Sequence, residues 1–372
     1  MRLPTMVFGL AALLAGPALL LAQDAGDAGA SKGAEAAKDA GTADKDAKAS
    51  EASKDSTATG KGPEAAVVKK GLAKAKAKPT PAKMLFGAVK TPAPLVARSI
   101  GFYAKGCLAG AEALPVDGPA WQHMRLSRNR NWGHPELIAL LKKLAVEAKE
   151  HDGWSGLLVG DISQPRGGPM LTGHASHQVG LDADVWLTPM PDRRLSRKER
   201  EELSATSMLA DDRVSVNPKV WTEAHLRLLK RAASYPQVER VLVHPAIKKA
   251  VCDASANEKD RGWMSKIRPY WGHYYHFHIR IACPKGSAGC QRQPPVGHAD
   301  GCGAELTRWL KRVKPPTVVV QPKKPATPAP EKRPITLQQL PEACRAVLAS
   351  GGTPPSAKKT TVTAPAPKQA KK

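Results

Sequence analysis

The chain has 372 residues and a formal net charge of +24, from 57 Lys and Arg against 33 Asp and Glu. Such a basic protein attracts polyanions, yet the sequence has no helix-turn-helix, basic zipper or aromatic RNA-binding motif, which argues against a nucleic-acid-binding protein. The length would admit two domains, but all eight Trp lie within residues 94–312, which indicates one globular core.

The N-terminus predicts an exported protein. Residues 1–22 have the pattern of a secretory signal peptide, with Arg2 as the positive start, an apolar run from Met6 to Leu21, and Ala22 as a plausible cleavage point. An uncleaved membrane anchor is the alternative reading of this segment. We find no other stretch apolar enough to span a bilayer, so no stable membrane span is expected after cleavage.

Low-complexity segments flank the predicted domain. Residues 23–93 are rich in Ala and Lys and poor in large apolar side chains, so we expect a disordered linker that cannot offset its conformational entropy by burial. The domain is predicted to span residues 94–350, with a Pro- and Lys-rich excursion at 314–335, and residues 351–372 read as a disordered basic tail. The basic flanks suit either attraction to an anionic envelope polymer or simple solubility.

The first elements of the predicted domain are a helix and a strand. His134-Pro135 opens a helix that extends to about Glu150, because Pro suits the first turn and the apolar residues fall on one stripe. The buried run Leu157-Leu158-Val159 reads as a strand.

A chemically rich segment follows at residues 173–187, GHASHQVGLDADVWL. From Leu181 to Leu187 apolar residues alternate with Asp182, Asp184 and Trp186, which predicts a strand with one polar face. Asp184 lies on that face, and His177 stands in the loop before it. Asp182 shares the face, where it either hydrogen-bonds a ligand imidazole or is solvated.

Downstream patterns predict a mixed fold. They indicate, in order, a helix capped by Thr222 and running to about Ser234, a strand from Val238 to Val243, and a short helix from Pro245 to Cys252. Helices and strands mix without the regular alternation of a parallel sheet. We therefore expect an α+β fold with a small antiparallel sheet, flanked by helices and loops.

The segment at residues 272–284, GHYYHFHIRIACP, predicts a second polar strand face. Apolar residues from Tyr275 to Ile281 alternate with His276, His278 and Arg280, so the two histidines project side by side. A lone His-x-His usually marks a solvated strand face. Here a neighbouring strand that carries an acidic residue would bring further ligands to the same place.

His177, Asp184 and His278 supply the three protein ligands that a catalytic zinc site needs, with a fourth position left open for water. His276 on the same face is then free to move protons. The sequence therefore predicts a zinc hydrolase site on the small sheet.

These motifs carry a family resemblance. His177-x6-Asp184 with His276-x-His278 resembles the zinc peptidases grouped with lysostaphin, D-alanyl-D-alanine peptidases and hedgehog. A closer similarity, to the penicillin-insensitive murein endopeptidases, rests on four segments: TGHASHQVGLDADV, VHPAIKKAVC, the run from Arg268 to His278, and DGCGAEL. It covers about two thirds of the chain.

The resemblance implies a function. It implies a periplasmic endopeptidase that hydrolyses D-alanyl–meso-diaminopimelyl cross-links in peptidoglycan with a zinc cofactor. Cleavage of chain ends, by a D,D-carboxypeptidase or a D-alanyl-D-alanine dipeptidase, is the neighbouring alternative. A zinc-containing wall-binding module without catalysis is the alternative from another class.

The resemblance also implies roles for further residues. His276 would stand near the zinc water as the base or the oxyanion stabiliser, and His273 would stabilise the transition state or transfer protons, unless it is a surface loop histidine. His174 would be either a fourth ligand or a residue that orients one. Asp212 aligns with part of a secondary metal site in relatives, but Ser215 stands where a histidine is expected, which puts a second metal in doubt.

The chain has six cysteines, an even number that suits export. The sequence alone permits 15 pairings. The resemblance implies three disulfides: Cys107–Cys344, Cys252–Cys302 and Cys283–Cys290.

Overall fold

The computed structural model describes residues 79–315 and 334–351. The predicted signal peptide, residues 23–78 of the predicted linker, residues 316–333 of the predicted excursion and residues 352–372 of the predicted tail lie outside the described residues. Within the described ranges, no helix combines the length and the hydropathy needed to cross a bilayer.

The described residues form short helices and strands. The helices are α1 (Ala82–Ala88), α2 (Pro135–His151), α3 (Arg197–Glu202), α4 (Glu223–Ser234), α5 (Pro245–Ala254), α6 (Ala304–Val313) and α7 (Ala343–Ala349). The strands are β1 (Arg98–Phe102), β2 (Lys105–Ala109), β3 (Glu112–Ala113), β4 (Trp121–His123), β5 (Trp132–Gly133), β6 (Leu157–Val159), β7 (Asp182–Trp186), β8 (Val238–Val243), β9 (Ile267–Pro269) and β10 (His276–Ile281). Short 3₁₀ turns cover Leu126–Arg128, Gly262–Lys266 and Leu337–Gln339.

The predicted elements are present close to their predicted bounds. Strands β6 and β8 have the predicted bounds, and helix α2 ends one residue beyond the predicted Glu150. Helix α4 follows Thr222 as predicted, and α5 extends two residues beyond Cys252. Capping and apolar periodicity are local signals, so they locate elements well.

The main sheet is mixed, and the prediction of an antiparallel sheet is wrong at its edges. Its strand order is β4-β6-β7-β10-β8-β9. The inner pairs β6–β7, β7–β10 and β10–β8 are antiparallel, whereas β4–β6 and β8–β9 are parallel. Helices α2 and α5 lie in the connections between these parallel neighbours, because parallel pairing requires a crossover.

The two faces of the inner strands differ as their alternation predicts. Ala183 and Val185 of β7 pack with Phe277 and Ile279 of β10 in the core beneath helices α2 and α4. The opposite face carries the aspartates and histidines. In the register of this pair, His278 lies opposite Asp184. All six residues of β10 are buried, so its polar side chains are largely shielded from solvent.

The end of the predicted linker is folded, contrary to the expected boundary at residue 93. Helix α1 begins at Ala82, and both Ala82 and Phe86 are fully buried. They belong to a small core, separate from the main one, that also contains Ile100 and Val347. Phe86 gives this short segment enough apolar surface to pack, although its surroundings are rich in Ala and Lys.

The three disulfides have the implied pairing, and no cysteine is free. Cys107–Cys344 joins residues 237 positions apart and ties α7 to β2, whereas Cys283–Cys290 joins residues only 7 apart. The long-range bridge therefore attaches the late segment 334–351 to the start of the domain.

Removing the long-range disulfide should destabilise the domain strongly. In the chain-entropy view, the double change Cys107→Ala/Cys344→Ala frees a very long loop in the unfolded chain and lowers the free energy of unfolding by about 5 kcal/mol. The matched change Cys283→Ala/Cys290→Ala should cost only about 2.5 kcal/mol, because its loop is short. Urea unfolding of both variants measures this, and equal losses would contradict the account.

Candidate metal centre

Four imidazoles surround the carboxylate of Asp184. Its Oδ1 atom lies 3.2 Å from His278 Nδ1, 3.4 Å from His177 Nε2 and 3.6 Å from His276 Nε2. Its Oδ2 atom lies 3.5 Å from His174 Nδ1. The structure thus brings together the predicted ligands of two sequence segments that are about ninety residues apart.

His177 is held in a strained conformation that aims its ring at Asp184. Its φ is 68°, in the left-handed region that non-glycine residues rarely adopt. Its backbone N–H donates to Asp182 Oδ2 at 3.2 Å, and its carbonyl accepts from Ser163 Oγ at 2.7 Å. Its ring Nδ1 donates to the Ile162 carbonyl at 2.6 Å, which leaves Nε2 facing the carboxylate. Strain of this kind concentrates at functional sites.

His278 is oriented by Asp182. The His278 Nε2–H donates to Asp182 Oδ1 at 2.7 Å, so Nδ1 faces Asp184. Asp182 is fully buried and also accepts from Arg280 Nε at 2.5 Å. Burial alone would raise the pKa of Asp182, but the Arg280 and His278 charges hold it below its usual range. Asp182 therefore hydrogen-bonds the imidazole of His278, the predicted ligand, and is not solvated.

The unpaired atoms at the centre fit a cation. Within the described part of the chain, His177 Nε2 and Asp184 Oδ1 are buried and have no hydrogen-bond partner. Buried polar atoms are nearly always paired, and a metal ion would satisfy both at once. Burial alone would raise the pKa of Asp184, but the neighbouring histidines hold it well below its usual range, so the Asp184 carboxylate is anionic.

Either of two histidines, His174 or His278, could join His177 and Asp184 as the third ligand of a metal site. Ligand atoms of His174, His177 and Asp184 all lie within 4.8 Å of one another. His278, the predicted third ligand, contacts the same carboxylate from the strand. The side chain of His174 is 25% exposed and stands in a loop, whereas that of His278 is 3% exposed.

Asp161 is a site residue that the sequence reading missed. It follows strand β6 and is buried, and its Oδ2 lies 3.0 Å from His174 Nε2 and 2.8 Å from Arg130 Nη1. It orients His174 much as Asp182 orients His278. An acidic residue directly after a buried strand was the available signal, because strand ends often present functional groups.

His276 and His273 lie beside the predicted ligands. Burial lowers the pKa of His276 to about 4, so its imidazole is neutral at neutral pH. The His273 ring centroid lies 5.0 Å from that of His276 and 5.8 Å from that of His278, and its Nδ1–H donates to the Trp271 carbonyl at 2.9 Å. Burial lowers the pKa of His273 to about 3. His273 is thus part of the cluster.

Asp212, His225 and His244 lie outside the cluster. The Asp212 carboxylate accepts hydrogen bonds from the backbone N–H groups of Val214 and Ser215 at 2.9 Å, and from Ser215 Oγ at 2.7 Å. Its oxygens are thereby engaged within its own exposed turn. His225 and His244 act at helix N-termini, the first through Thr222 and the second as the cap of α5.

A cleft of about 310 Å³ opens over the centre. His174, Asp184 and His276 line one part of it, and Arg125 and Arg128 line another. This volume is within the range of small-ligand sites, about 300–1,000 Å³. A segment of peptide can therefore approach the histidines and the carboxylate from solvent.

The chain is similar to proteins named for one activity. The model of the family described as penicillin-insensitive murein endopeptidase matches residues 99–349. A protein of that name from Haemophilus influenzae is 45% identical over 229 residues, which cover 61% of this chain and 78% of the relative. Its namesake from Pectobacterium atrosepticum is 40% identical over 253 residues, covering 68% and 84%. The matched range contains the whole cluster described above.

Proposed function

The chain belongs to the penicillin-insensitive murein endopeptidase family, and on that basis we propose that it hydrolyses the peptide cross-links of murein at the cluster around Asp184. The proposal rests on one observation. The buried, anionic carboxylate of Asp184 lies at the base of an open cleft and is faced by the imidazoles of His177 and His278. The other ring nitrogen of each imidazole is already hydrogen-bonded within the protein. This is the arrangement of a catalytic metal site with room for substrate.

We propose zinc as the metal, held by His177 Nε2, Asp184 and His278 Nδ1. This nitrogen and oxygen donor set suits zinc. His278 is favoured over His174 because it is buried on a strand and fixed by Asp182. His174 then serves as a fourth ligand or orients the carboxylate. A zinc ion bound there would polarise the scissile carbonyl and lower the pKa of water to about 7.

We assign proton transfer to His276 and His273, which lie beside the proposed ligands. His276 is neutral and faces the Asp184 carboxylate through Nε2, so it can accept the proton of an attacking water. No partner within the described residues fixes its Nδ1, unlike the outer nitrogens of His177 and His278. His273, beside it, is placed to stabilise the transition state or to pass a proton to the leaving amine.

For the substrate we propose the D-alanyl–meso-diaminopimelyl bond. Hydrolysis by a water nucleophile needs no nucleophilic serine or cysteine, so penicillin has no side chain to acylate. The test uses two purified substrates, a cross-linked muropeptide dimer and a monomer that ends in D-alanyl-D-alanine. We expect the dimer to be converted to monomers and the chain end to persist. Preferential loss of the terminal D-alanine would favour a D,D-carboxypeptidase.

A wall-binding module without catalysis is the rival from another class. The proximity of His273 and His276 to the ligands counts against it, since binding alone needs no proton carriers. A purified protein that binds sacculi but leaves every dimer intact would support the rival.

We propose a periplasmic location for the exported chain. Murein lies outside the cytoplasmic membrane, and three disulfides suit an oxidising compartment. Export of a fusion to a reporter that is active only in the periplasm tests this.

Asp182→Asn should weaken metal binding without abolishing it. The change keeps the shape of the side chain but removes the charge that orients His278, and such outer-sphere changes typically cost about 10–100-fold in metal affinity. Competition with a chelator measures the affinity. Asp152→Asn is the matched control, because Asp152 is also a buried carboxylate paired with an arginine, Arg231. Equal affinities of the Asp182→Asn and wild-type proteins would contradict this role.

A further inference from the structure

Two arginines line the cleft without a part in the chemistry described above. Arg125 and Arg128 face the same space as His174, Asp184 and His276. Neither holds the metal or moves a proton. Guanidinium groups remain charged at any physiological pH, so both bring permanent positive charge to the place where the substrate lies.

The backbone around these arginines is strained and firmly held. Arg125 and Asn129 have φ values of 58° and 51° and bracket the 3₁₀ turn Leu126–Arg128. Glu201 fixes this turn by accepting from the Ser127 N–H at 2.7 Å and from Ser127 Oγ at 2.9 Å. Left-handed conformations at non-glycine residues are maintained only where the surroundings enforce them. The turn therefore presents its side chains at a defined place.

Arg125 has no acidic partner among the described residues, since its guanidinium donates to three carbonyls at the end of α3. Those of Arg200 and Leu203 accept at 2.8 Å, and that of Glu201 at 2.5 Å. Its charge is thus held in place but not neutralised. Burial first, and then the charge of Arg128, lower the pKa of Arg125, as expected for two cations that share one wall.

Asp161 cannot neutralise Arg128 as well as Arg130. Arg130 lies 2.8 Å from Asp161 and its side chain is 6% exposed, whereas Arg128 lies 3.1 Å away and is 45% exposed. One carboxylate thus faces two guanidiniums. Leaving a buried charge unpaired costs more free energy than leaving an exposed one, so Asp161 mainly compensates the buried Arg130. Within the described ranges, Arg128 uses only Nη1 for this contact, which leaves its other N–H donors free.

We propose that Arg128 binds a carboxylate of the substrate. The positive charge of Arg125, on the same wall of the cleft, adds electrostatic attraction for that carboxylate. This inference rests on the proposed function. In the proposed cross-link, the diaminopimelyl residue on the amine side carries a free carboxylate one carbon away from the scissile nitrogen. A guanidinium binds a carboxylate through paired hydrogen bonds. Arg128 would therefore position the leaving-amine side of the bond against the metal centre.

The test compares two cross-linked dimers that differ in one group. In one dimer the diaminopimelyl carboxylate next to the cross-link is free, and in the other it is a neutral amide of nearly the same shape. For the wild-type protein we expect kcat/KM to fall roughly 10–100-fold on amidation, because the neutral amide loses the charge-assisted, paired hydrogen bonding to Arg128. This comparison needs no variant, so a folding defect cannot obscure it.

Arg128→Gln then assigns the loss to one side chain. We expect the variant to cut the free-carboxylate dimer roughly 10–100-fold more slowly, mainly through KM, and the amidated dimer at the wild-type rate. Arg128→Lys should restore part of the preference, because it keeps the charge but not the paired hydrogen bonds. Metal content should be unchanged in both variants. Arg292→Gln is the matched control, since Arg292 is 67% exposed and paired with Glu239 away from the cleft.

The two proposals fail in different ways. If the wild-type protein cuts neither dimer, the proposed function has failed, and this inference with it. If it cuts both dimers equally well, or if Arg128→Gln slows both by the same factor, the function stands and the carboxylate-binding role of Arg128 is overturned. An equal slowing of both dimers by Arg128→Gln would mean that Arg128 affects hydrolysis by positioning Asp161 and His174, and not by binding the carboxylate.

Discussion

Replacing Asp184 by alanine is expected to remove both the bound metal and all measurable hydrolysis of cross-linked murein. Among the described residues, the Asp184 carboxylate is the acidic group that lies near all four imidazoles, and without it the proposed metal site would keep only imidazole donors. Metal content of the purified variant, by inductively coupled plasma mass spectrometry, and release of monomers from a muropeptide dimer measure the two losses. Asp253→Ala, at an exposed aspartate paired with Lys249 on α5, should change neither.

The same measurement on His278→Ala and His174→Ala decides the third ligand. We expect His278→Ala to lose the metal as Asp184→Ala does, because His278 is fixed by Asp182 and buried. His174→Ala should retain a metal ion with weaker affinity. Full metal content in His278→Ala, with loss in His174→Ala, would instead assign the site to His174, His177 and Asp184.

His276→Ala is expected to keep the metal and to lose most of the turnover. A positioned general acid or base typically contributes about 10²–10⁴-fold to the rate, and a neutral buried imidazole beside Asp184 is suited to that task. Single-turnover kinetics on the dimer, with metal content measured on the same sample, separates chemistry from binding. His298→Ala, at an exposed loop position, is the control. Loss of one equivalent of metal from His276→Ala would make His276 a ligand.

The site residues that lie on strands could be predicted from local sequence patterns. Alternation of apolar and polar residues places Asp184 on one face of β7, and His276 and His278 on one face of β10, without knowledge of the fold. The antiparallel register that sets His278 opposite Asp184 agrees with this. What the pattern does not reveal is how deeply these side chains are buried, because burial depends on the tertiary fold.

The cleft wall could not be predicted in the same way. Arg125, Arg128 and Asp161 reach the site because β4 and β6 pair in parallel across the α2 crossover, next to β7. Strand order is a property of the tertiary fold, and no periodicity in the sequence encodes it. Likewise, the ring orientation of His177 depends on the Ile162 carbonyl, a contact between two loops.

Metal-dependent hydrolysis of murein cross-links is tested by digesting purified cross-linked sacculi with three samples. These are the metal-loaded protein, the chelator-treated protein, and the treated protein after zinc is restored. Chromatography of the muropeptides then reports the ratio of dimers to monomers. We expect dimers to fall and monomers to rise with the loaded protein, the chelator to abolish this change, and zinc to restore it. Dimers that remain intact with the fully zinc-loaded protein, or dimers cut equally well after complete removal of metal, would contradict a metal-dependent murein endopeptidase.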